Sequence, residues 1–162
     1  MSITDPDELV TRFYELYSFP LGRPPDTSAL AALFLDDARI RSATTDGQGH
    51  EQVFDVGAPE YLARLADMVG HSHAQGIPLT RRELWRRTDA YGNIAQVWSS
   101  YEAAMGPANE PLLGYAVFAF ELCRVGGAWR IAGVASHTAR RHEPIPSRYL
   151  GPAASASGGP AA

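Results

Sequence analysis

From Asp7 to Phe19, the apolar residues Leu9, Val10, Phe13, Leu16 and Tyr17 recur at the spacing of one helical face. Asp7 and Glu8 stand at its start, where the helix dipole favours carboxylates. This pattern predicts a first amphipathic helix. Pro20, Gly22, Pro24 and Pro25 break it, and Asp26, Thr27 or Ser28 can cap a second helix carrying Leu30, Leu33, Phe34 and Leu35. Asp36 and Asp37 would end that helix by hydrogen-bonding nearby backbone. Ala38 to Ala43 has Ile40 on one side and arginines on the other, a short strand followed by the turn pair Asp46-Gly47. Residues 44 to 57 carry no clear period. A third helix is expected from Pro59 to Val69, with Tyr61, Leu62, Leu65, Met68 and Val69 apolar and Gly70 closing it.

Beyond this point the period changes to that of strands. Leu79 to Asp89, Ile94 to Met105, Leu112 to Val125 and Trp129 to His137 are rich in β-branched and aromatic residues. Turn residues such as Tyr91-Gly92-Asn93 and Gly126-Gly127 separate them, which predicts an antiparallel meander. Helices first and strands afterwards is an α+β pattern, with the helices on one side of a sheet. Between Tyr115 and Cys123 both alternating sets are mostly apolar: Tyr115, Val117, Ala119 and Cys123 on one side, and Ala116, Phe118, Phe120 and Leu122 on the other. Helices can cover one of these faces, and a second copy of the chain is the expected cover for the other. Residues 1–150 are expected to form a single domain. Gly151 to Ala162, made only of Gly, Pro, Ala and Ser, is expected to be a disordered tail.

Four local features carry a family resemblance: Leu33-Phe34-Leu35-Asp36-Asp37-Ala38-Arg39-Ile40, Gly92-Asn93-Ile94-Ala95-Gln96-Val97-Trp98, the pair Tyr101-Glu102, and Val125-Gly126-Gly127-Ala128-Trp129-Arg130-Ile131. Over about residues 6 to 140 the chain resembles the nuclear transport factor 2-like superfamily, which includes ketosteroid isomerase, scytalone dehydratase and the SnoaL-like cyclases. The resemblance implies three N-terminal helices packed in the concave face of a curved antiparallel sheet, a cystatin-like cone. It also implies an apolar pocket inside the cone and a homodimer through the sheet. It does not imply one chemistry. Where ketosteroid isomerase-like proteins carry a base carboxylate, this chain has Ser42, and where they carry a tyrosine donor it has Phe13, with Tyr14 and Tyr17 nearby. Counting back from Arg130-Ile131 puts Glu121 at the position of the second donor, a protonated acid. One of three roles survives, so steroid isomerisation by that mechanism is not expected.

Glu121 is then one candidate catalytic residue, since an apolar setting would raise its pKa. His137 is the other, on the side of Trp129 and Ile131 if the last strand stays regular. Tyr14, Tyr17, Trp98 and Tyr101 offer apolar area with polar tips and, with Phe34, are the candidate ligand-binding residues. His71-Ser72-His73 reads as a loop without a third metal ligand. Alternation puts Arg81, Glu83, Trp85 and Arg87 on one strand face and Arg82, Leu84 and Arg86 on the other, an arginine-rich exposed strand.

Composition narrows the function classes. All 14 cations among the 162 residues are arginine, and with 18 acidic residues the formal net charge is −4, which gives no general attraction to nucleic acid or anionic lipid. One cysteine, Cys123, excludes an internal disulfide and any multi-cysteine metal site. No apolar run reaches the ~18 residues of a membrane span, and Met1 to Pro6 has no basic segment followed by an apolar run, so secretion is not expected. A cytoplasmic protein without nucleic-acid or membrane partners is expected. No phosphate-binding loop, nucleophile elbow or His-Glu-x-x-His motif is present, and no cofactor or metal is expected. Two readings remain. One is a homodimer that binds a small apolar molecule. The other is a cofactor-free acid/base enzyme, of isomerase, dehydratase or polyketide cyclase type, acting on a small carbonyl or polyketide-like substrate.

Overall fold

The structure is a computed structural model that describes residues 2–46, 48–107, 111–138 and 143–151. Of the tail expected from Gly151 to Ala162, all but Gly151 lies outside the described residues.

Helix α1 (Pro6–Leu16) starts where the Asp5 carboxylate accepts the amides of Asp7 and Glu8 at 2.6 and 3.3 Å, satisfying two donors the helix itself leaves unpaired. It buries Leu9, Val10, Phe13, Tyr14 and Leu16, the predicted face. It ends before Phe19 because Phe19 exchanges backbone hydrogen bonds with Leu79, at 2.7 and 3.1 Å, and lies along the sheet instead. Helix α2 (Thr27–Ala31) is capped by Asp26. It stops short of Phe34 and Leu35: the Leu33 carbonyl accepts the Ile131 amide at 2.8 Å, and from Phe34 the chain is already strand β1 (Phe34–Thr45). Asp36 and Asp37 are therefore exposed strand residues and not a helix terminus. They fall in an irregularity where β1 advances from Phe34 to Arg39 while its neighbour advances only from Ile131 to Gly133.

Strand β2 (Glu51–Gly57) fills the stretch without a clear period and pairs antiparallel with β1. Helix α3 (Ala58–Ala74) runs through Gly70, which is not among the positive-φ glycines and so does not close it. The residue that closes α3 is Gly76, at φ +73, where its amide reaches the His73 carbonyl at 3.0 Å and the Ile77 amide reaches Ser72. His71 and His73 thus lie in the last helical turn, not in a loop.

Strands β3 (Leu79–Tyr91), β4 (Ile94–Met105), β5 (Leu112–Val125) and β6 (Ala128–Thr138) form the predicted meander. The six-stranded sheet has the order β2-β1-β6-β5-β4-β3, with β1 running parallel to β6 and every other pair antiparallel. This is a mixed α+β architecture. The helices cover one sheet face: Phe13 of α1 meets Phe120 and Phe118 edge-on at 5.1 and 5.7 Å, within a core that includes Leu9, Val10, Val69, Val97 and Ile131. Trp129 and Ile131 are buried on this face and Arg130 is not, as strand alternation requires.

Two bulges reset that alternation. In β3, Glu83 pairs with Tyr101 and Trp85 with Ser100, leaving Leu84 extra. In β6, Leu122 pairs with Ile131 and Glu121 with Gly133, leaving Ala132 extra. Each extra residue sends the rest of its strand to the opposite face. The expected division of the arginine-rich strand is corrected accordingly. Arg81 and Glu83 lie on the helix side, Arg86 joins them by bonding the Thr11 hydroxyl of α1 at 3.0 Å, and Trp85 turns outward. On the outer face a short 3-10 turn, Ser147–Tyr149, covers β3 and β4, with the Tyr149 ring 5.8 Å from both Trp85 and Trp98.

Candidate functional site

A cavity of about 290 Å³ opens between the helices and the covered face of the sheet. Its walls are apolar: Phe13 from α1, Leu65 from α3, Phe34 and Ile40 from β1, Phe118 from β5 and Val134 from β6. Met68, 46% exposed, marks the mouth. Ser42 and Phe13, where the resemblance would place a base and a donor, both line it, and neither can accept a proton at neutral pH.

The polar groups in the wall are Tyr17, Tyr61, Tyr101, Arg81, Arg64 and the hydroxyls of Ser42, Ser136 and Thr138. The Tyr17 and Tyr61 hydroxyls are hydrogen-bonded to each other. Arg81 lies with its guanidinium carbon 4.0 Å above the centre of the Tyr17 ring and donates from one terminal nitrogen to the Tyr17 carbonyl at 3.0 Å. Its Nε is buried and has no hydrogen-bond partner among the described residues. Burial pushes the Tyr101 phenol up to about 12, with Tyr17 adding to the shift and Arg81 opposing it. Burial likewise raises Tyr61 well above the ordinary tyrosine value. These hydroxyls are neutral donors or acceptors at physiological pH. Among the described lining residues there is no carboxylate and no imidazole.

Of the residues singled out from sequence, Tyr17, Phe34 and Tyr101 come together in this wall. Tyr14 is buried beside it in a separate network. Its hydroxyl meets Ser99 at 2.8 Å, Ser99 donates to Glu83 at 2.6 Å, and Glu83 takes Arg86 at 2.8 and 2.5 Å. Burial raises the Tyr14 pKa. Trp98 is on the outer face, against Tyr149. Glu121 is exposed and its side chain lies on that outer face, in a shallow groove with Tyr91, Ile94, Cys123 and Ala132. The apolar setting expected for it belongs to its neighbours Phe120 and Leu122, which point the other way. His137 follows the Ala132 bulge, so it does not share the side of Trp129 and Ile131; it is exposed, 3.2 Å from Glu143. Arg81, Tyr61, Arg64, Ser136 and Thr138 are polar wall residues that sequence reasoning did not select. The signal for Arg81 was its position opposite the Tyr101 strand, masked by the arginines around it.

No protein-family model matches the chain. Among solved structures, a nuclear transport factor 2-like protein of unknown function from Pseudomonas putida KT2440 superposes with a TM-score of 0.59 at 18% identity, covering 85% of this chain and 86% of that one. A cystatin-like nuclear transport factor 2-like protein from Novosphingobium aromaticivorans gives 0.57 at 16% identity, covering 80% and 77%. A hexachlorocyclohexane dehydrochlorinase gives 0.58 at 18% identity, covering 82% and 81%. The chain has the nuclear transport factor 2-like, cystatin-like fold. Among curated proteins, it is 27% identical over 138 residues to the 1,4-alpha-glucan branching enzyme GlgB 1 of Streptomyces coelicolor. That match takes in 84% of this chain and 17% of the enzyme, so the chain spans about a sixth of that relative's length.

Proposed function

We propose that the helices occupy the concave side of a cone, that the cavity there binds a small apolar molecule without a cofactor, and that the protein works as a homodimer. The observation that carries this reading is the wall itself: aromatic and aliphatic over most of its area, with a few hydroxyls and the two guanidiniums of Arg64 and Arg81 able to orient a ligand. Binding is favoured over acid/base turnover because Glu121 and His137 project away from the cavity, and its described lining offers no group that takes a proton near neutral pH. The dimer reading is supported by the outer sheet face. Val117, Ala119 and Cys123 of β5 are only half-buried there, and Ile94 is 61% exposed, while the β3–β4 part is already covered by Tyr149. No described helix is long and apolar enough to cross a membrane.

The neutral dye N-phenyl-1-naphthylamine tests the cavity. Its fluorescence should rise saturably with one site per chain, and Ser136→Trp, which fills the cavity, should remove the response. Saturable binding that survives this substitution would move the site elsewhere, and no binding would end the proposal.

A further inference from the structure

We infer that the ligand of this cavity carries a carboxylate on an apolar body, and that Arg81 receives the carboxylate. The inference rests on the reading that the cavity binds a small apolar molecule and adds its charge.

The neighbouring arginines are paired. Arg86 meets Glu83 at 2.5 Å, Arg82 meets Glu102 at 3.2 Å and Arg64 meets Glu60 at 2.5 Å. Arg81 has no carboxylate within ion-pair distance among the described residues, although its Nε is buried and its side chain lines the cavity. Arg81 as a whole is half-buried, and a cation partly withdrawn from water without a counter-charge loses solvation that is not returned in full. The Tyr17 ring and carbonyl offset part of that cost and hold the guanidinium in place, but a carbonyl and a π-face leave the net charge uncompensated.

The fold keeps Arg81 there. It precedes the Leu84 bulge, so it stays on the helix side, and its amide donates to the Ser18 hydroxyl at 3.0 Å, tying β3 to the end of α1. A carboxylate entering the cavity meets this guanidinium and a second arginine, Arg64, with no described acidic lining residue to repel it. The Tyr101 hydroxyl beside Arg81 is protonated and can donate to the same anion. A planar guanidinium matches two carboxylate oxygens, whereas a neutral ketone would leave the half-buried charge as it was. The remainder of the wall, from Phe34 to Phe118 and Val134, accepts the hydrocarbon part.

The test uses matched probes on the full chain at pH 7: 2-naphthoate against 2-acetonaphthone, and octanoate against 2-nonanone, followed by calorimetry. The acids are expected to bind at least tenfold more tightly than their ketones. Arg81→Gln should erase that preference, and Arg81→Lys should retain part of it. Equal affinities for acid and ketone in the unaltered protein would overturn the inference and leave the cavity reading standing. No saturable binding by either pair would overturn both. Should Arg81→Gln not fold, octanoate labelled with 13C at the carboxyl decides the matter in the unaltered protein. Its bound carboxyl should titrate below its free pKa, and an unchanged or raised value would overturn the inference.

Discussion

The Tyr17 ring lies under the Arg81 guanidinium, 4.0 Å from its central carbon, and the Tyr17 carbonyl accepts a hydrogen bond from the same group. One residue at the end of α1 therefore holds Arg81 of β3 from two directions, and its own hydroxyl is bonded to Tyr61 of α3. Two helical segments and an edge strand meet at this contact.

Alkaline titration should separate the tyrosines. Tyr101 should hold its proton to about pH 12, and the buried Tyr61 and Tyr14 should shift in the same direction. A pKa raised on folding stabilises the protein below the unfolded value of about 10 and is lost as pH climbs through the folded value. Stability should therefore fall between pH 10 and 12, and Tyr101→Phe should flatten that fall. Absorbance at 295 nm with parallel denaturant melts reads both, and an unchanged slope in Tyr101→Phe would place the loss on the other buried phenols.

Trp129 is 5% exposed and shares its face with fully buried Ile131. Trp129→Ala should cost about 3–5 kcal/mol in urea unfolding, the range for emptying an aromatic site in a core. A loss near zero would contradict the burial.

Glu83 joins Arg86, Ser99 and, through Ser99, Tyr14. Glu83→Gln removes the nearer of two charge partners, Asp7 being the other at 3.6 Å, from a guanidinium whose side chain is 15% exposed, and should cost about 1–3 kcal/mol. Replacing Glu83 and Arg86 together by Leu and Met should cost less than the two single changes added, because neither then leaves an unpaired charge. Additive losses would show that the two side chains are not coupled.

On the outer face, Glu121→Gln and His137→Ala should each leave binding of N-phenyl-1-naphthylamine unchanged and alter stability by less than about 0.5 kcal/mol. A tenfold loss of binding in either variant would return that residue to the site.

Sedimentation at micromolar concentration should give twice the 17.5 kDa chain mass, and Ala119→Arg on the half-buried outer face should return it to one. A single-chain species for the unaltered protein would remove the dimer proposal.

Local period made much of this chain legible. The face of α1, the four meander strands and the inward pair Trp129 and Ile131 follow from side-chain spacing along one segment, which needs no knowledge of neighbours. The residues Tyr17, Phe34 and Tyr101 were within reach of the same reasoning, since large side chains on covered faces converge in an α+β core. What tertiary structure alone decided begins where two strands must share a register. The extra residues Leu84 and Ala132 exist only relative to a partner strand, yet they turn Trp85 and His137 outward and bring Arg86 to α1. Leu33 gives its carbonyl to Ile131, so Phe34 is strand although its spacing suits a helix. Arg81 becomes the unpaired cation of the cavity for the same reason: its charge was visible in the sequence, but the absence of a described carboxylate beside it is a property of how the elements pack.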